Sequence, residues 1–232
     1  MKKVGILIFI ITLIAGIALA GIFSFGKNTG RFIKFSVNFG EKGSGNVQTE
    51  KREVSEFRSV DVGGAFHVEI AAQKDYSLEV EADDNLLPLI KTEFDGETLR
   101  IETEGKISPS NPVKIRISAP DIENLDVSGA SKVSLSNVNN ESLTVDASGA
   151  SRVVCEGSTK NLTVDLSGAS KFDGGKLQSD SAKIEASGAS KGTVSVKESL
   201  KADLSGASRV VYYGNPTEIE KSTSGASSVI GK

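Results

Sequence analysis

The sequence predicts an all-β chain, most of it a solenoid of stacked β rungs. Three observations predict this. The tetrapeptide Ser-Gly-Ala-Ser occurs at residues 128–131, 148–151, 167–170, 187–190, 205–208 and 224–227, in steps of 20, 19, 20, 18 and 19 residues. Around each copy, apolar and polar residues alternate with a period of two, as in a strand with one buried face. The composition suits tight corners better than a helical bundle, with 24 glycines, no tryptophan and 6% aromatic residues. A period near twenty residues with strand texture arises when each copy forms one turn of a coil and stacks on the last.

Residues 1–25, MKKVGILIFIITLIAGIALAGIFSF, begin with Lys2 and Lys3 and continue uncharged from Val4 to Phe25. Ala18-Leu19-Ala20 fits a small-x-small cleavage site, which makes the segment a signal peptide. Residues 4–25 are also long enough to span a bilayer as an uncleaved anchor, and this is the one membrane contact expected. Either way the rest of the chain is exported, to the periplasm, the cell surface or the outer side of a membrane. Residues 26–44 have no clear period and are expected to be a linker.

Residues 45–120 are expected to form an irregular N-terminal β part. The stretches SVDVGGAFHVEI, YSLEVEA, TLRIETE and VKIRISA alternate as strands do. Asp95-Gly96 marks a hairpin between IKTEF and ETLRIE. Val62-Gly63-Gly64-Ala65-Phe66 looks like a degenerate copy of the later tetrapeptide.

Residues 121–232 carry the repeat. The pentapeptides LTVDA (143–147), LTVDL (162–166), AKIEA (182–186) and LKADL (200–204) send positions one, three and five inward. After the tetrapeptide, Val133 and Leu135, Val153 and Cys155, Phe172 and Gly174, Gly192 and Val194, and Val210 and Tyr212 share the inner side. Val138, Leu177 and Val196 suggest a weaker third side. Gly129, Gly149, Gly168, Gly188, Gly206 and Gly225 are then equivalent corners, where only glycine combines the backbone freedom with close approach of neighbouring rungs. Ala130, Ala150, Ala169, Ala189, Ala207 and Ala226 are expected to point into the narrow angle of the corner. The paired serines can bond corner backbone groups. At about 4.8 Å per rung, six copies span about 24 Å.

Two charge ladders flank the corner. Asp126, Asp146, Asp165, Glu185 and Asp203 precede each copy by two residues, and Lys132, Arg152, Lys171, Lys191 and Arg209 follow at once. Stacked like charges repel modestly. The bland expectation is a solvated pair of stripes that neutralise each other. The sharper one is a repetitive surface for a polymer with its own repeat, such as a glycan chain or another envelope component.

Other features exclude more than they suggest. The net charge is −3 and no basic run stands out, so nucleic acid is not an expected partner. The one cysteine, Cys155, rules out an internal disulfide and a cysteine-based zinc site. It falls at an inward position and is expected to be a core thiol. His67, the one histidine, is expected to face solvent. The run EADDN (81–85) lacks the ligand spacing of a calcium loop and is expected to be an acidic turn. Tyr212 and Tyr213 are placed to cover the end of the core. No catalytic, metal-binding or cofactor-binding constellation emerges. An exposed last rung would leave unpaired backbone edges open to capping or self-association.

The stretches GSGNVQTEKREVSEFRSVDVGGAFHVEI (43–70), LEVEADDNLLPLIKTE (78–93) and LDVSGASKVSL (125–135) resemble the head GIN domain family, bacterial exported proteins often labelled auto-transporter adhesins and of no established function. The resemblance covers about residues 43–230. It implies a right-handed parallel β-helix-like fold with irregular first turns, sitting in the cell envelope. The segment SSVIGK after the sixth copy offers no membrane barrel, so self-translocation is not expected. The function expected is a non-catalytic cell-envelope module for adhesion or for glycan or envelope contact. A polysaccharide-active β-helix enzyme and an anchored sensing domain are the alternatives. The enzyme would show itself as a groove holding one non-repeating cluster of Asp, Lys and Arg.

Overall fold

A computed structural model describes residues 40–232. The expected leader or anchor and residues 26–39 of the expected linker lie outside the described residues. The strands follow in chain order: β1 (Glu41–Lys42), β2 (Val47–Lys51), β3 (Ser59–Gly64), β4 (His67–Ala71) and β5 (Ser77–Asp83). A short 3-10 turn, Leu87–Leu89, leads to β6 (Ile90–Asp95), β7 (Thr98–Thr103), β8 (Ile107–Ser108) and β9 (Lys114–Ser118). Then come β10 (Asn124–Gly129), β11 (Lys132–Ala147), β12 (Arg152–Leu166), β13 (Lys171–Ala186), β14 (Lys191–Leu204), β15 (Arg209–Tyr213), β16 (Glu218–Thr223) and β17 (Ser228–Gly231).

The repeat region is a β-solenoid of about five turns. From β10 onward each strand lies parallel to the one a turn earlier and in register with it, so Leu143 stands beside Leu162 and Val145 beside Val164. The long strands β11 to β14 bend through a second corner marked by register shifts, for example between Leu135 and Val138. The third side is uneven, as its sequence suggests. It buries Val138, Leu177 and Val196 but also Thr159 and Ser179.

The N-terminal strands close the first turns differently. β6 and β7 form the hairpin expected at Asp95-Gly96, with Asp95 opposite Thr98. β5 runs antiparallel to both β9 and β2. The degenerate corner is a true one: Gly63 and Gly64 pair with Ser128 and Gly129. Phe66 then fills the buried space that a serine occupies in later turns.

At the corners the structure corrects one expectation. The alanines are exposed, and the second serine of each of the first five copies is buried: Ser131, Ser151, Ser170, Ser190 and Ser208. The strand alternation runs straight through the tetrapeptide, so Val127, Ser131 and Val133 share the inner side while Ala130 falls outside. Serine suits this place because its hydroxyl can reach back to a corner carbonyl. Ser190 Oγ donates to Ser187 O at 2.9 Å, and Ser227 Oγ to Ser224 O at 2.8 Å. The glycine is required twice over. Gly149 has φ +70°, and a Cβ there would lie 2.5 Å from the carbonyl oxygen of Gly129. Ala150 N–H donates to that same oxygen at 2.8 Å, which carries the inter-rung bonding around the bend.

Candidate functional site

The two charge ladders are real columns, and both are longer than the tetrapeptide reveals. Asp61, Asp126, Asp146, Asp165, Glu185 and Asp203 stand in register from β3 to β14. Arg100 and then Glu93 continue the column at one end, and Ser222 ends it at the other. On the next side, Lys114, His67, Lys132, Arg152, Lys171, Lys191 and Arg209 form the second column, and Ser228 ends it. Reasoning from the repeat missed Asp61 and His67. The signal was present, since Asp61 precedes the degenerate corner Gly63-Gly64 by two residues and His67 follows Phe66 at once, the offsets seen at every later corner. His67 faces solvent, as expected.

No ion pair joins the two columns among the described residues. The two stripes therefore do not pair ion by ion across the corner. The corner separates the faces, and the charges flank it without touching. In the acidic column Asp61 meets Arg100 at 3.2 Å and Glu185 meets Lys183 at 2.7 Å. Among the described residues Asp126, Asp146, Asp165 and Asp203 have no such partner. They line a groove of about 570 Å³ together with the first serines of the corners, among them Ser148, Ser167 and Ser187. Partial desolvation raises the carboxyl pKa values of Asp126, Asp146 and Asp165 above 3.8. Repulsion adds to this at Asp126, from Asp61 and Asp146, and at Asp165, from Asp146 and Glu185.

In the basic column Lys114 is held by Glu81 at 2.8 Å. Among the described residues Lys132, Arg152, Lys171, Lys191 and Arg209 make no ion pair, although twelve other cations do. Among the described residues, the structure thus presents five cations, one per rung, without an ion-pair partner.

A second groove, on the third side, holds a non-repeating polar cluster of Arg58, Asp121, Glu123, Glu141, Lys160, Asp180 and Lys197. Its cations are all engaged: Arg58 with Glu123 at 2.7 Å, Lys160 with Glu141 at 2.8 Å and Lys197 with Asp180 at 3.0 Å. Asn140 Nδ2 donates to Asp121 Oδ1 at 3.1 Å. Cys155 is fully buried, which pushes its thiol pKa far up and leaves no thiolate for chemistry.

The acidic run EADDN also departs from expectation. Asp83 is buried. Its carboxylate accepts from Ser110 N at 2.7 Å, Asn111 N at 3.3 Å and Asn111 Nδ2 at 2.8 Å. Those bonds hold its pKa below the usual aspartate value, with the Asn111 side chain the largest cause. Ser110 Oγ donates to Gly43 O, and a Cβ at Gly43 would collide with Asp83 Oδ2 at 1.9 Å. The GSGN stretch is therefore a clasp that ties the first strands to the body.

Residues 56–216 match the family described as "Putative auto-transporter adhesin, head GIN domain". The chain belongs to this family. Several proteins of known structure share the fold. A "putative adhesin" from Bacteroides fragilis NCTC 9343 is 20% identical with a TM-score of 0.69, over 83% of this chain and 100% of that one. A "putative lipid binding protein" from Parabacteroides distasonis ATCC 8503 is 20% identical at TM-score 0.52, over 82% and 98%. A "putative adhesin" from Parabacteroides merdae ATCC 43184 is 15% identical at TM-score 0.51, over 82% and 98%. No curated protein matches the chain. The head GIN assignment supports an adhesion-like module; at these identities the structural likenesses speak for the fold alone.

Proposed function

We propose that this head GIN protein is an exported, non-catalytic adhesion module that grips anionic envelope polymers, acidic glycans above all, through its basic column. The observation that carries this is the row of unpaired cations, Lys132, Arg152, Lys171, Lys191 and Arg209, spaced one rung apart. A flexible polyanion meets several of them at once, and each contact raises the effective concentration for the next. The adhesin description of the family supports the same reading. The paired groups of the third-side groove argue against hydrolysis or elimination there, because Glu123, Glu141 and Asp180 each already carry a counter-ion and Asp121 accepts from Asn140 and the Ile122 N–H.

The test uses polygalacturonate as the probe and the full chain as the protein. Binding is expected at low salt and is expected to weaken steeply as salt rises. Changing the five cations together to serine is expected to lower affinity by about tenfold or more. Equal binding by the wild type and the five-site variant would sink the proposal.

A further inference from the structure

The last rung breaks a pattern that every earlier rung keeps. One core column runs through Leu99, Val60, Leu125, Val145, Val164, Ile184 and Ala202, all essentially fully buried. The next member of that column, in register with Ala202, is Lys221. Its ammonium sits 4.8 Å from the centroid of the Tyr212 ring and donates to the Tyr212 hydroxyl at 3.3 Å. Tyr212 belongs to a neighbouring inward column, stacked on Val194 and followed by Gly231. A Cβ at Gly231 would stand 2.6 Å from the Tyr212 hydroxyl oxygen. The phenol therefore lies where a side chain of the final rung would otherwise be, and Lys221 closes the gap beside it.

This roof covers an edge that would otherwise recruit. Among the described residues β16 pairs with β14 alone and β17 with β15 alone. Ile219, an inward residue of β16, is 43% exposed. Free backbone groups beside exposed apolar side chains form a template for another strand. The two charge ladders do not guard this edge, because both end in serine here, Ser222 after Asp203 and Ser228 after Arg209. Lys221 does. A further rung would bury its ammonium without a carboxylate to meet it, since Glu220 points outward to Lys201 at 3.0 Å.

We propose that Lys221 is a stop residue, seated on Tyr212, that keeps a further β rung, in particular the edge strand of a second copy, from being laid on β16 and β17. The test is sedimentation velocity on the full chain, with wild type, K221R and K221V purified in parallel and their β content checked by circular dichroism. Wild type and K221R are expected to sediment alike across the concentration range. K221V is expected to associate as concentration rises, its weight-average mass growing by about twofold or more. If K221V does not fold, K221A, which removes the charge with the least added bulk, is expected to associate in the same way. A folded K221V or K221A that sediments like wild type overturns the proposal. So does a wild-type chain that associates as readily as K221V.

Discussion

Gly168 has φ +70°, and a methyl group there would stand 2.7 Å from the Gly149 carbonyl oxygen. Both the left-handed backbone and the close approach oppose any side chain. G168A is expected to cost about 2 kcal/mol or more in urea unfolding, while A169T, one residue on and exposed, is expected to change stability by less than about 0.5 kcal/mol. Equal losses would refute the corner geometry. The buried serines differ among themselves. Ser208 Oγ lies 2.6 Å from Ser205 O and 3.1 Å from Ala186 O. Ser170 Oγ is buried with no hydrogen-bond partner among the described residues. Removing a bonded hydroxyl forfeits its bond, whereas removing an orphaned one relieves a desolvated dipole. S208A is therefore expected to destabilise by about 1 kcal/mol and S170A to be neutral or stabilising. Thermal unfolding of the two variants side by side decides it, and a larger loss at Ser170 would contradict the account.

Among elements, the strands β10 to β14 were legible because their contacts recur. A period of 18–20 residues announces which residues will be neighbours before any coordinates exist. The side taken by Ala130 and Ser131 was legible too: following the alternation from Val127 to Val133 places the serine inside, while treating the tetrapeptide as a detached corner hides it. The N-terminal strands were less open to reading. β5 lies antiparallel to β9 and β2, and Asp83 meets Asn111 across 28 residues. No repeat announces such pairings, and a buried carboxylate among acidic neighbours looks like a solvated turn until its three donors are in place. The charge columns were readable as positions, but their lack of mutual ion pairs depends on how sharply the corner parts the two faces, which alternation does not encode.

Across the whole molecule, the acidic column sets a pH response. The carboxyl groups of Asp126, Asp146 and Asp165 keep their protons to higher pH in the folded chain than in the unfolded one. From the ordinary aspartate value of 3.8 up to their raised folded values, their contribution to stability falls as pH rises, and the deficit then stays constant. Asp83 acts in the opposite sense: its contribution is present above 3.8 and is lost as pH falls through its lowered folded value. D146N is expected to stabilise the chain at neutral pH by up to about 0.5 kcal/mol, with the gain vanishing in acid. Denaturant midpoints at several pH values test this, and a loss at neutral pH would count against a repulsive column. The stacked glycine tips reach further still. Because each tip rests on an identical tip one turn earlier, removing the nineteen residues from Ser148 to Leu166 would join Ala147 to another Ser-Gly-Ala-Ser of the same shape. Slippage between repeats in the gene can thus lengthen or shorten the coil while sparing its cross-section, so height becomes a trait that evolution adjusts in whole steps.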